Sequence, residues 1–363
     1  MFIYVAIFLV ITFFAVEFEI GESKSIWPLT VLAIFLILFA GLRNPEVPRD
    51  YVVYQFIFDN IDNPSISASY IRDATEPGFY AVILFFKWLF PNFYSVAIMM
   101  FCASVAVGLV TISLYKNLWN PYIGLLFYYS NFYFLHEMTQ VRIGLALSII
   151  LAGLPFFFKR RNLVFSAFII LASLFHYSAI ILFGLFLFRR DHFSKTWFAI
   201  LWFSSLLIGS LRINTIGILN ILSSITNTSS KFSTYLELTT EGMIDQVNIF
   251  NVFNLLTMFL NGYLLYIIPK EDFIKNPRLS FFLKSNIISV FLLCINSSNA
   301  LMAFRVSEIF GIFSIFLYPY LVKYLPFKKF NIWFVALFAF VFFFINILYG
   351  HLLNPYRIYD FNR

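Results

Sequence analysis

Long apolar runs separated by brief polar breaks recur along this chain, and they predict a bundle of membrane-crossing helices. The runs fall at roughly 2–16, 26–42, 93–115, 121–135, 142–158, 163–188, 195–211, 246–268, 284–297, 300–322 and 330–350. A helix needs about 20 apolar residues to cross a hydrocarbon core about 30 Å thick. Only helices and closed barrels satisfy their own backbone in that environment. Barrel strands alternate apolar and polar positions, and runs such as WFVALFAFVFFFINIL do not. A further apolar piece, 77–90, is short and interrupted by Lys87. The stretch 212–245 is rich in Ser and Thr, carries Glu237, Glu241 and Asp245, and reads as a sizeable extramembrane loop. With no soluble domain and no internal repeat evident, 1–363 reads as a single membrane domain.

Basic residues orient the bundle, because Lys and Arg concentrate in cytoplasmic loops. The clusters are Lys159-Arg160-Arg161, Arg189-Arg190 with Lys195, the segment Lys270 to Lys284, and Lys323 with Lys328 and Lys329. A single span at 163–188 would put the first two on opposite sides. The interruption ASLFHYSA offers a way out, since it divides that run into halves too short to cross. Two half-helices entering and leaving on the cytoplasmic side satisfy both clusters, and such a break is tolerated where protein or a wet cavity surrounds it. If 77–90 lies along the membrane surface, every later cluster also falls inside. The expectation is an all-α polytopic membrane protein of about ten full spans plus a half-helix pair, with 43–92 as the first extracytoplasmic loop and both termini outside.

Composition agrees. The chain is 61% hydrophobic and 12% charged, with a mean hydropathy of +0.84. A soluble protein of 363 residues has no interior large enough for that. The net charge of +7 matters through its location and does not point to nucleic acid. Cys102 and Cys294 sit in apolar runs, so neither a disulfide framework nor a metal cluster is expected. The first apolar run lacks a basic leader and a small-residue cleavage site and reads as a retained span.

Polar groups converge on the outer side in this topology. In GLRNPEVPRDYVVYQFIFDN, Arg43 ends a span, and Asp50 and Tyr54 share a face if the segment is helical. The alternative is an anchoring arginine beside a solvated loop. In EPGFYAVILFFKW, Glu76 opens an amphipathic piece suited to guiding a lipid, or is a plain helix start with an acid at the positive dipole end. His136, Glu137, Gln140 and Arg142 crowd the expected connection between two spans, with loop solvation as the alternative. Arg305 and Glu308 lie three apart inside a span, where a charge is costly and usually faces a cavity, or where the two form a structural ion pair. His176 sits at the helix break, where it serves chemistry or caps backbone. Tyr349, His351, Tyr356 and Arg357 near the C-terminus flank the site or anchor the interface. Arginine recurs where metal-ligand clusters do not. Its planar fork suits phosphate and pyrophosphate at any working pH, so Arg43, Arg142 and Arg305 describe a site for an anionic lipid headgroup.

GLRNPEVPRDYVVYQFIF, TEPGFYAVILF, QVRIGLALSIILAG, LASLFHYSAIILF, FRVSEIFGIF and a C-terminal NPY, in that order, resemble the EpsG family of exopolysaccharide proteins, related to Wzy-class O-antigen and capsule polymerases. Family members often carry Gly-Asp before the Tyr, where this chain has Arg49-Asp50. The architecture is also similar to GT-C glycosyltransferases, an analogy of fold only. The resemblance implies a bacterial cytoplasmic-membrane enzyme, active on the outer face, that joins repeat units carried on undecaprenyl pyrophosphate. Donor and acceptor are both lipid-linked oligosaccharides; a chain-length regulator and a flippase are implied partners, with no nucleic acid. No cofactor or metal is demanded. The arginines with Tyr54 and Gln140 would hold substrate, and the base would be Asp50, Glu137, Glu76 or His176, ranked in that order. The rival readings are a flippase for the same lipid-linked sugars, an O-antigen ligase, or a monosaccharide-transferring GT-C enzyme.

Overall fold

The computed structural model describes residues 2–21, 25–48, 51–62, 75–187, 194–211, 246–350 and 352–360. Asp50, His351, the Arg189-Arg190 pair and the expected loop 212–245 lie outside the described residues. All described elements are helical apart from two isolated antiparallel bridges. The chain divides into two compact units, Met1–Leu185 with Tyr318–Arg363, and Phe186–Leu317.

The first unit begins with α1 (Phe2–Ile20), α2 (Trp27–Gly41), α3 (Tyr51–Asn60), α4 (Pro77–Leu89) and α5 (Tyr94–Asn117). It continues with α6 (Pro121–Tyr128), α7 (Val141–Phe158) and α8 (Asn162–Ser173). α7 packs on α5 and α8, and α5 packs on α2. The apolar window of α7 is 72% buried against 39% for α1, so α7 is a central post and α1 turns largely to lipid. Gly41 permits the α2–α5 approach, since a Cβ there would stand 2.9 Å from the Met100 Cα. Asn120 starts α6, its Oδ1 accepting from the Tyr122 N–H at 3.1 Å, with Pro121 in the first turn. The same side chain donates to Glu19 Oε2 at 2.9 Å and to the Ala15 carbonyl at 3.0 Å, tying α1 to α6.

One feature departs from the expected helix plan and another follows it. The connection predicted at 136–141 is almost absent. α6 runs without interruption into a π-helix, Tyr129–Thr139, leaving only Gln140 before α7. His136 and Glu137 therefore ride on a helix and are buried, each 1% exposed. A π-helix widens the turn without changing the apolar pattern, so hydropathy does not register it. The run at 163–188 does break near His176: α8 ends at Ser173 and a 3-10 helix begins at Tyr177. At about 1.5 and 2.0 Å per residue the two pieces span about 18 and 22 Å, both short of a bilayer core. The second half is 3-10 and not α.

The second unit holds α9 (Lys195–Leu211), α10 (Val252–Ile267), α11 (Lys270–Lys275), α12 (Pro277–Ile295), α13 (Ala300–Gly311) and α14 (Ser314–Leu317). α12 starts earlier than the predicted 284, because Asn276 caps it and Pro277 fits its first turn. Lys284 is carried inside the helix, 3% exposed. α12 packs on α13, α9 and α10 around Ile249, Met258, Val290 and Cys294. The predicted run 300–322 is segmented into α13, α14, a 3-10 turn at Tyr318–Tyr320 and α15 (Leu321–Tyr324). Pro319, which has no N–H for a continuous helix, lies in that turn. α16 (Asn331–Phe343) and a π-helical extension to Tyr349 return to the first unit.

Six described helices are long and apolar enough to cross a membrane: Phe2–Ile20, Tyr94–Asn117, Val141–Phe158, Pro277–Ile295, Ala300–Tyr324 and Lys328–Ile347, counting segmented runs as one. Six shorter apolar helices accompany them.

Candidate active site

Glu76 stands at the N-cap of α4 in extended conformation, with Pro77 next in the first turn. Its carboxylate makes no capping bond. It turns inward, 5% exposed, to two groups from distant parts of the chain. Arg142, the second residue of α7, donates through Nη1 to Glu76 Oε2 at 2.6 Å. His176, in the break after α8, places Nδ1 3.4 Å from Glu76 Oε1. The Arg142 guanidinium lies 5.9 Å from the Tyr54 ring centroid and 6.0 Å from that of Phe79, within cation–π range. Tyr54 and Phe79 pack edge to face at 6.1 Å. Thus α3, α4, α7 and the helix break each contribute one part of a single cluster. Glu76 is nearly closed off, while the Arg142 side chain is 25% exposed and that of His176 18%, so both can meet a ligand.

Glu76 precedes α4 and lies outside the six long apolar helices. Burial pushes its carboxyl up, but the His176 imidazole and the Arg142 charge outweigh burial and hold it lowered to about 2. A carboxyl lowered on folding contributes stability that is complete above its ordinary value and is lost as pH falls through the folded value. The drop from 4.5 to about 2 corresponds to about 3 kcal/mol at neutral pH. Wild-type protein in detergent should therefore exceed Glu76→Gln in thermal midpoint at neutral pH. The gap should close between pH 4.5 and 2. A gap that widens on acidification contradicts the pairing.

The other anticipated residues fall into a different setting. Arg43 is 3% exposed, and its guanidinium donates to the Ala40 carbonyl and, at 3.0 Å, to the Met138 carbonyl. It fastens the end of α2 to the π-helix. Glu137 accepts from the Tyr128 hydroxyl at 2.6 Å, and its second oxygen is buried without a hydrogen-bond partner. Gln140 closes the π-helix through its N–H, which donates to the Leu135 carbonyl at 2.6 Å. Arg305 and Glu308 are half-buried on α13 in the second unit. Tyr356 stacks on Phe39 at 4.0 Å, and its hydroxyl donates to the Phe39 carbonyl at 3.0 Å. The segment around it bridges antiparallel to the start of the first loop, Arg43 to Ile358 and Pro48 to Leu353. Exposed Arg357 reaches Glu46 at 3.2 Å. The C-terminal segment therefore straps the first loop. Among the described residues no group of three or more His, Cys, Asp or Glu is placed to hold a metal ion.

Sequence reasoning missed Tyr128, Phe79 and the Leu174 carbonyl, which accepts from the Gly78 N–H at 2.8 Å beside Glu76. Tyr128 and Phe79 sit in apolar runs where aromatics are ordinary bulk, and a backbone carbonyl leaves no signal in the chain.

Long apolar helices, a helix break and an acid–arginine–histidine cluster define a multi-pass helical membrane protein. The EpsG family profile matches residues 26–358, and the chain belongs to that family, which is linked to exopolysaccharide biosynthesis. No curated protein and no solved structure matches the chain.

Proposed function

We propose that this protein is a Wzy-type polymerase joining undecaprenyl-pyrophosphate-linked repeat units on the outer face of the bacterial cytoplasmic membrane. The observation that carries the reading is the Glu76–Arg142–His176 cluster, with an arginine edge and an imidazole open to a ligand. In the reaction, the acceptor hydroxyl oxygen bonds to the anomeric carbon of the donor. The bond from that carbon to the pyrophosphate oxygen breaks, and its electron pair leaves with the pyrophosphate. Arg142 meets the charge that grows on the leaving oxygen. Arg305, on α13 in the second unit, keeps its place as a substrate-binding candidate from the sequence.

The hydroxyl proton goes to His176. With Nδ1 facing a carboxylate, the neutral imidazole carries its proton on Nδ1, and Nε2 is left to accept. Glu76 itself, lowered to about 2, is a weak base, and its role is to orient His176 and Arg142. Glu137 is sealed from solvent and already accepts from Tyr128. Asp50 keeps its place as a candidate from the sequence. Tyr54 and Phe79 are buried and pack against the Arg142 guanidinium, so their part is to hold that arginine in place.

Deleting the gene and resolving surface glycans on a gel tests the reading. Collapse of the ladder to one repeat unit is the expected result. Loss of a single capping product instead would mark a ligase. A purified protein that moves lipid-linked sugars across liposomes without lengthening them would mark a flippase.

The proposed topology has about ten full spans, a half-helix pair turning near His176 and residues 43–76 outside. A cysteine introduced between residues 60 and 70 should react with an impermeant thiol reagent on spheroplasts. Labelling only after lysis reverses the orientation.

A further inference from the structure

The start of α4 approaches the break after α8 more closely than a side chain on α4 would allow. The Gly78 N–H donates to the Leu174 carbonyl at 2.8 Å. A Cβ on Gly78 would stand 2.8 Å from that oxygen, 3.0 Å from the Leu174 Cβ and 3.1 Å from its carbonyl carbon. None of these atoms belongs to the free end of a side chain, so no rotamer change relieves the clash. This contact lies two residues after Glu76 and two before His176, whose side chains are 3.4 Å apart. We infer that Gly78 is a positioning residue for the glycosyl transfer proposed above: its missing side chain sets the distance between Glu76 and His176.

The inference rests on that reading of the site. An alanine at 78 must push α4 and the 174–176 turn apart until Cβ and carbonyl reach ordinary contact. A displacement of about 1 Å in a reacting constellation costs about a hundredfold in rate. Gly108 and Gly184 are internal controls, because a Cβ at either meets nothing within 4 Å.

The test uses the full-length protein in membranes and two readouts. The first is the polymer ladder from Gly78→Ala, Gly108→Ala and Gly184→Ala. The second reads geometry without activity: Glu76→Cys and His176→Cys are combined, with and without Gly78→Ala, and treated with a short bifunctional thiol reagent. The yield of the 76–176 cross-linked peptide per inserted protein is measured by mass spectrometry. Gly78→Ala is expected to lower polymer at least tenfold and to lower cross-linking several-fold, while both control glycines leave both readouts unchanged. Cross-linking at full yield with alanine at 78 overturns the inference, whatever happens to polymer. So does normal polymer from Gly78→Ala. Normal polymer from Glu76→Gln is a separate outcome, which sinks the proposed role of the cluster even if Gly78 does set its spacing.

Discussion

Glu76→Gln is expected to reduce polymerisation by at least a hundredfold while leaving the protein inserted in the membrane. The amide keeps the size of the side chain and removes its charge. Two groups lose their anchor at once: Arg142, held at 2.6 Å, and His176, at 3.4 Å. An amide NH₂ facing either one is repulsive, and an imidazole no longer held with its proton on Nδ1 presents the wrong nitrogen half the time or turns away. A hundredfold corresponds to about 2.7 kcal/mol of barrier, comparable to the loss of one well-placed group in other active sites. Breaking one side of a buried pair also destabilises the fold by about 3–5 kcal/mol, so yield per inserted protein is the quantity to compare. His176→Gln should fall with it, since it removes the acceptor nitrogen without disturbing the Glu76–Arg142 pair. A full-length ladder from Glu76→Gln would show that the cluster is a structural brace.

Arg142→Lys should be nearly as damaging, although it preserves the charge. Arg142 donates to Glu76 and also hydrogen-bonds the Tyr54 side chain, and its partly exposed side chain still presents a guanidinium edge to an incoming anion. A lysine ammonium on Glu76 has no second edge to offer, and pyrophosphate recognition by two parallel N–H groups is lost. Chain length and yield are expected to drop by about a hundredfold, or about 2.7 kcal/mol. Arg305→Lys tests the arginine of the second unit separately, and a comparable drop would mark it as substrate-binding in its own right. Glu308, one turn away on α13, supplies the control. Normal polymer after replacing Arg305 and Glu308 together by apolar residues would mark them as a dispensable ion pair and leave Arg142 to act alone.

Much of the helical plan was legible in the residues. Runs too apolar for water must lie in lipid, and helices satisfy their backbone there. The interruption HYS in an otherwise apolar run announced the break between Ser173 and Tyr177. Even the wrong boundaries had physical causes. Lys284 looked like a helix end because a charge in lipid is costly, yet packing buries it within α12. The connection at 136–141 looked polar enough for a loop, yet a π-helix absorbs it.

The candidate site was legible as a list of residues and not as an arrangement. Glu76 was singled out as the start of an amphipathic piece, Arg142 in a dense polar connection and His176 at a helix break, each a polar group beside an apolar run. Nothing local relates residue 76 to residues 142 and 176, nor separates this cluster from Arg43, which spends its donors on the Ala40 and Met138 carbonyls. The strap of the C-terminal segment on the first loop is likewise a backbone pairing across some three hundred residues, with no side-chain pattern to announce it. By itself, the amino-acid sequence determined where this chain meets lipid and which polar groups are costly to keep there, since both follow from transfer free energies that add residue by residue. Which of those groups share a proton or a charge was decided only in the tertiary structure, because Coulomb and hydrogen-bond energies depend on distances that helix packing alone sets.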